Sequence, residues 1–399
     1  MKRILIVSQY FYPENFRIND MALEWVARGY DVTVLTGIPN YPAGRFFSGY
    51  SWTKRRNEEW NGINIIRIPI LARGSNAVGM VLNYFSFVLS GWFWSHLTRL
   101  KVDLVFSFEV SPMTQVKVGC YYSKRHHIPH FVYVQDLWPE NVETVTGIHN
   151  KLIIRPIDKM VDNIYKQVDQ IFVTSPSFVN AIINRKVVVD PIKVHYWPQY
   201  AETFYIPKKK QRINGIPDDD SFKIAFTGNI GVAQGLDILP KTAELLKSTN
   251  LYFVIVGDGR YKHEFERLLD EYGVREKFII LPRVEPAFIP DILSACDAGF
   301  ISFNKTSLWE MTIPAKLQSY MACGKPIIAS ASGETKRIIE EANCGFCCDI
   351  GDPLALSQGI MTLINSDLSE MGIRARKYFE THFDKKMLMD ELEDYFTSI

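Results

Sequence analysis

The sequence runs through one structural pattern, stops, and runs through it again. Short apolar segments at residues 4–7, 31–35, 63–68, 104–107, 130–134 and 170–174 alternate with helical stretches, including ones near residues 19–28 and 77–97. These segments are continuously apolar instead of alternating with polar residues, as expected of strands covered on both faces in a parallel sheet. A polar, turn-rich stretch follows, with Lys208-Lys209-Lys210, Gly215, Pro217 and Asp218-Asp219-Asp220, and reads as a linker. A second strand series then begins at 223–227, 252–256, 278–281, 298–302 and 326–329. The predicted fold class is therefore α/β, with two Rossmann-like doubly wound parallel-sheet domains facing across a cleft. The expected domains are residues 1–205 and 206–380, followed by a helix within 381–399 that could cross back to the first domain. In such sheets ligands collect at the carboxyl ends of the strands, beside the switch in strand order.

A length of 399 residues also favours two cores over one. Apolar residues at 47% and charged residues at 22% exclude long disorder. The net charge of +1 conceals an asymmetry: residues 1–200 carry +7 and residues 201–399 carry −6. A basic half suits an anionic membrane or a phosphate-bearing lipid, although scattered surface charge gives the same counts. Runs such as Lys54-Arg55-Arg56 and Lys124-Arg125-His126-His127 could meet anionic lipid or simply face water. Six cysteines, no recognisable leader and an opening apolar run of only four residues point to a reducing cytosol. Cys344 and Cys347 have half of a zinc spacing without a second pair, so buried thiols are expected and a metal is not.

Residues 77–97 are long and apolar enough to imitate a membrane span, with Trp92 and Trp94 near one end. Asn83, Ser86 and Ser90 fall three or four apart and would line one helical face, leaving a broad apolar remainder. A buried or interfacial helix, a true span and a partner interface all accommodate that pattern.

No Gly-x-Gly-x-x-Gly fingerprint follows the first strand, where the chain reads Ser8-Gln9-Tyr10-Phe11-Tyr12-Pro13-Glu14-Asn15, so a dinucleotide cofactor is not expected there. Glycines gather instead after the restart, in Gly228-Asn229-Ile230-Gly231-Val232-Ala233-Gln234-Gly235 and in Val256-Gly257-Asp258-Gly259. Small residues between strand and helix let amide groups approach a diphosphate, although such turns can also be merely tight. The third element is Glu310-Met311-Thr312-Ile313-Pro314-Ala315-Lys316-Leu317-Gln318 leading into Ala322-Cys323-Gly324-Lys325-Pro326.

Taken together, these three elements resemble the signature of the retaining family-four glycosyltransferases of the GT-B fold. Within that family, Gly228 to Gly235 and Gln135-Asp136-Leu137-Trp138-Pro139 resemble the bacterial O-antigen and capsule subgroup, notably N-acetyl-L-fucosamine transferases. The resemblance implies that Gly228, Asn229, Gly231, Gln234, Gly257, Gly259, Arg283, Lys305, Thr312, Ile313, Lys316 and Gln318 bind the donor, a UDP-sugar. It implies that Glu310 grips the donor sugar and that the departing diphosphate takes the acceptor proton on the same face of the sugar. Many relatives place Arg and Lys where this chain has Asn229 and Gln234, so the neutralising charge must come from Arg283, Lys305 or Lys316. Gln318 stands at a position usually acidic and can still accept from a ribose hydroxyl. Gln135-Asp136 replaces a usual His-Asp, which makes Asp136 the nearest titratable group for the acceptor, or else a helix cap.

By sheet geometry, Tyr12, Pro13, Glu14, Asn15 and Arg17 should line the acceptor side at the end of the first strand. The Asp-x-Asp within Asp218 to Asp220 falls in the linker and not where metal-dependent transferases need one, so neither metal nor other cofactor is expected. The expected partners are a nucleotide-sugar donor, an undecaprenyl-diphosphate-linked glycan and the inner face of the cytoplasmic membrane, with no nucleic acid. A nucleotide-sugar epimerase, a non-catalytic sugar-nucleotide binding protein and a polytopic membrane protein are the alternatives.

Overall fold

A computed structural model describes residues 2–74, 76–186 and 189–397. The first sheet contains β1 (Arg3–Val7), β2 (Asp31–Thr36), β3 (Asn57–Trp60), β4 (Ile63–Arg67), β5 (Leu104–Glu109), β6 (His130–Val134), β7 (Gln170–Val173) and β8 (Val194–Tyr196). Their spatial order is β3-β4-β2-β1-β5-β6-β7-β8, parallel throughout except for β3, which runs antiparallel at the edge. The second sheet contains β9 (Phe222–Thr227), β10 (Leu251–Val256), β11 (Phe278–Leu281), β12 (Ala298–Ser302), β13 (Ile327–Ser330) and β14 (Gly345–Cys348), all parallel in the order β11-β10-β9-β12-β13-β14. The apolar runs read as strands form the central strands, and Ile4 to Val7 are wholly buried, as covering on both faces requires.

In the first sheet the order reverses between β1 and β5, and in the second between β9 and β12. These are the switch points at which the doubly wound fold opens a crevice at the carboxyl ends of its strands. The helices of the first half are α1 (Arg17–Ala27), α2 (Ala77–Leu97), α3 (Val116–His126), α4 (Glu140–Thr146), α5 (Lys151–Gln167) and α6 (Pro176–Ile183). Those of the second are α7 (Ile238–Leu245), α8 (Lys262–Glu271), α9 (Ile289–Ser294), α10 (Ser307–Glu310), α11 (Ala315–Ala322), α12 (Gly333–Ala342), α13 (Pro353–Ile364), α14 (Leu368–His382) and α15 (Lys385–Thr397).

The chain divides into two units. One runs through Thr174, takes in Phe178–Trp197 and regains the chain from Tyr395; the other holds Ser175–Ser177 and Pro198–Asp394. The division falls at Trp197, ahead of the expected boundary at 205. Residues just past it pack within the second unit, where Lys385 Nζ lies 5.7 Å from the centroid of the buried Tyr200 ring. The expected linker is likewise pinned, with Lys208 paired to Asp291 at 2.8 Å and Lys223 to Asp219 at 2.9 Å. At the far end of α15, the Phe396 ring packs against Trp25 and Phe131 of the first unit, each at 5.7 Å between centroids.

The helix α2 presents its polar stripe inward. Asn83 Nδ2 donates to the Leu71 carbonyl at 2.6 Å, the Leu71 N–H donates to Ser86 Oγ at 2.9 Å, and Ser90 Oγ donates to the Pro69 carbonyl. Gly91 lets the helix close on α3, since a Cβ there would lie 2.5 Å from Val118. The outward side is apolar: Val78, Val81, Leu82, Phe85, Leu89, Trp92, Phe93 and Leu97 are all exposed.

Candidate active site

In the second unit the predicted glycine turns meet at the carboxyl ends of β9 and β10. The Gly228 N–H donates to the Val256 carbonyl at 2.9 Å and the Ile230 N–H to the Asp258 carbonyl at 2.8 Å. Gly257 has φ +150°, and a Cβ there would stand 1.8 Å from the Gly228 carbonyl oxygen, so the two backbones touch in a way only glycine permits. Asn229 lies between Gly231 and Gly259, its side chain 2.6 and 2.8 Å from where their Cβ atoms would be. Behind the loop, the Thr227 N–H donates to the hydroxyl of the fully buried Tyr320 at 2.8 Å.

Lys316, in the first turn of α11, reaches this loop. Its Nζ donates to Gln234 Oε1 and lies 3.8 Å from the centroid of the buried Phe226 ring, and its side chain passes beside Gly228. Desolvation pulls its ammonium down to about 7. A neighbouring helix thus brings an amino group to Gln234. Of the other two candidates, Arg283 is exposed just after β11, and Lys305 lines a cavity of about 210 Å³ with Gly235 at the end of the loop, Asp237, Lys241 and Gly351.

Glu310 closes α10 as an exposed carboxylate, and its backbone packs on Gly333, where a Cβ would stand 1.9 Å from the Glu310 carbonyl oxygen. Thr312 and Ile313 are turned to internal tasks: Thr312 Oγ1 donates to the Leu308 carbonyl at 2.8 Å, and Ile313 is buried. Gln318 is wholly buried in α11 with both amide atoms unpartnered.

In the first unit, Asp136 follows β6 and is half-buried. Its Oδ2 accepts from the Ser111 N–H at 2.7 Å, and the Ser111 and Asn141 side chains also bond it. It therefore ties the loop after β5 to the turn before α4 instead of capping α4, whose first residues carry no side-chain cap. Burial raises its carboxyl, opposed by those bonds. Directly behind lies Glu109, wholly buried at the end of β5, accepting from the Asp136 N–H at 3.2 Å. Burial first, and then the neighbouring Asp136 charge, push its carboxyl well above the usual range. Sequence reading passed over Glu109, though a lone acid closing an otherwise apolar strand was the available signal.

Of the expected acceptor residues, Tyr12 stacks on Trp60 with centroids 4.3 Å apart, and its carbonyl accepts from the buried Arg67 at 2.7 Å. Pro13 and Arg17 are partly exposed, Arg17 opening α1, and Asn15 is exposed. Glu14 is turned inward: its Oε1 accepts the Asn40 and Tyr41 N–H groups at 2.7 and 2.6 Å, and burial raises its carboxyl to about 7. Glu14 thus holds the loop after β2 instead of offering a carboxylate outward. At the β1–β5 switch point, the Gln9 N–H donates to Gln115 at 2.7 Å and Gln9 Nε2 to Asn83 at 2.6 Å, joining the strand end to α2.

The six cysteines are free thiols, all but Cys347 buried, and among the described residues no group of three His, Cys, Asp or Glu side chains is gathered to hold a metal.

Residues 15–199 match the glycosyl transferase 4-like domain, and residues 207–379 match the glycosyl transferases group 1. The chain is 27% identical over 271 residues to the probable glycosyltransferase WbjE of Pseudomonas aeruginosa, a match spanning 65% of each protein's length. It is 23% identical over 412 residues to the putative colanic acid biosynthesis glycosyl transferase WcaI of Escherichia coli K12, covering 97% of this chain and 98% of that one. A crystal structure of Anabaena HepE in complex with UDP superimposes over 100% of both chains with a TM-score of 0.71 at 14% identity. The chain belongs to the GT-B glycosyltransferases, its first half a glycosyl transferase 4-like domain and its second a group 1 glycosyl transferase domain.

Proposed function

We propose that this protein moves a sugar from a UDP-sugar donor onto a lipid-diphosphate-linked glycan in O-antigen or capsule assembly, with N-acetyl-L-fucosamine as the leading donor sugar. The observation that carries this reading is the convergence of Gly228, Gly257, Gln234 and Lys316 at the β9–β12 switch point. There, turns free of side chains and one ammonium lie together, which supports a site for a diphosphate. UDP in HepE, and the colanic acid role in WcaI's description, support the donor class and the type of pathway.

In this reading the second unit holds the donor and the first prepares the acceptor. Lys316 and the loop amides stabilise the charge growing on the leaving diphosphate, which takes the acceptor proton on the same face of the sugar and so retains its configuration. Glu310 supports the anomeric centre, Asp136 orients the acceptor hydroxyl, and no metal takes part. The outward apolar side of α2 rests in the cytoplasmic surface of the membrane without spanning it.

Screening nucleotide sugars against undecaprenyl-diphosphate-linked N-acetylglucosamine tests the whole reading. Product with retained anomeric configuration, unaffected by chelator, is expected; a rate restored only by magnesium or manganese would overturn the metal-free step. Conversion of the donor without acceptor would instead make the protein an epimerase. Glu310→Gln should lower turnover by about a hundredfold or more while leaving UDP affinity within a few fold, as loss of a charge-stabilising group does.

A further inference from the structure

The first unit carries a second exposed apolar patch, in the turn from α4 to α5. Val145, Ile148, Leu152 and Ile153 are all exposed there, Leu152 at 80%. No acidic residue occurs from 144 to 157, while Lys151 and Arg155 are exposed among the apolar side chains. Four apolar residues mixed with cations suit the boundary between anionic headgroups and acyl chains.

Topology fixes where this patch lies. The connections β4–α2–β5, β5–α3–β6 and β6–α4–α5–β7 advance across the sheet in the same direction. Right-handed crossovers therefore place α2, α3 and α5 on one face, with α3 between the other two. Each of these helices starts at the carboxyl edge of the sheet, where its preceding strand ends. Val78, Val81, Leu82 and Phe85 at the start of α2, and the α4–α5 turn, consequently occupy the same edge, two helix spacings or about 16–20 Å apart. Between them Met113 and Gln115, in the turn leading into α3, and Val116 at its start are buried.

We infer that the α4–α5 turn is a second bilayer contact, selective for anionic lipid, that works together with α2. The inference rests on the membrane reading given above. A single helix lying in a surface can roll about its own axis; a second contact two helix widths away stops the roll and fixes which edge of the sheet meets the membrane. That edge carries Asp136, which sits in the segment leading directly into α4. A lipid-carried acceptor emerging between the two contacts would meet Asp136 without leaving the membrane surface.

The test is co-sedimentation of the full chain with vesicles of phosphatidylethanolamine and phosphatidylglycerol, against vesicles of phosphatidylcholine. The double variant Leu152→Glu/Ile153→Glu should lower partitioning at least tenfold, as should Phe85→Glu/Leu89→Glu. Lys151→Glu/Arg155→Glu should abolish the preference for phosphatidylglycerol. Unchanged UDP affinity and melting temperature establish that the variants fold. If the Leu152/Ile153 variant binds like wild type while the Phe85/Leu89 variant does not, the second contact is wrong and α2 alone anchors the protein. If wild type binds neither vesicle, the membrane reading itself fails. A Leu152/Ile153 variant that keeps vesicle binding but loses self-association by light scattering would reassign the patch to an interface between copies.

Discussion

An ammonium drawn down to about 7 is half discharged at neutral pH, and Lys316 is in that state beside Gln234. An arriving diphosphate would favour the charged form, so UDP binding at pH 8 should take up a proton, fading towards pH 6 where the lysine is already charged. Calorimetry in buffers of different ionisation enthalpy measures that uptake. Lys316→Met should abolish it and weaken UDP by roughly ten- to a hundredfold, the range for one hydrogen bond to a charged group. Glu14 makes the opposite kind of statement. Its carboxyl rises from 4.5 to about 7, so its contribution to stability is full below pH 4.5 and is lost as pH rises through 7. Glu14→Gln keeps an oxygen for both loop N–H groups and removes the charge. It should match wild type near pH 4 and exceed it at pH 8 by up to about 3 kcal/mol in urea unfolding. Asp136→Asn should lower transfer by roughly a hundredfold with donor affinity unchanged, measured as kcat against UDP binding. The glycine turns were legible because local spacing marks them, whereas Lys316, 82 residues from Gln234, was one of three candidate cations. Glu109 and Asp136 were only half legible, since a pairing across 27 residues leaves no local pattern.

At the level of elements, continuous apolar runs gave away the central strands, whereas β3 (Asn57–Trp60) was overlooked. An edge strand with one wet face need not be apolar, and Asn57 and Glu59 are exposed. The helix α2 was located to the residue, while its polar stripe, compatible with a buried or interfacial helix, a span or a partner interface, turned out to face inward. Composition cannot separate an inward stripe from an outward one: the same serines and asparagine bond water or the 69–71 backbone equally well, and only the segment packed against them decides. The packing makes the difference measurable. Gly91→Leu would drive a side chain into Val118 and should destabilise the protein by about 1–3 kcal/mol or more. Phe93→Ser, on the outward side, should stay within about 0.5 kcal/mol in the same unfolding assay.

On the scale of the molecule, the two sheets and their switch points were legible from the repeated pattern, and the charged, turn-rich stretch read as a linker is a segment held by ion pairs within the second unit. The return of α15 has the largest consequence. Phe396 is buried among Trp25, Phe106 and Phe131, so the core of the first unit borrows a side chain from about two hundred residues beyond Trp197. A fragment covering residues 1–197 should therefore be insoluble or molten by near-ultraviolet circular dichroism, and Phe396→Ala should cost the full chain about 3–5 kcal/mol. On the ribosome this becomes a matter of timing. At about 5–20 residues per second, the first unit waits some 10–40 seconds with its aromatic core unsealed while the second is made. The half that would meet the membrane is thus the last to close, and it closes only once the half that would bind the nucleotide has been synthesised.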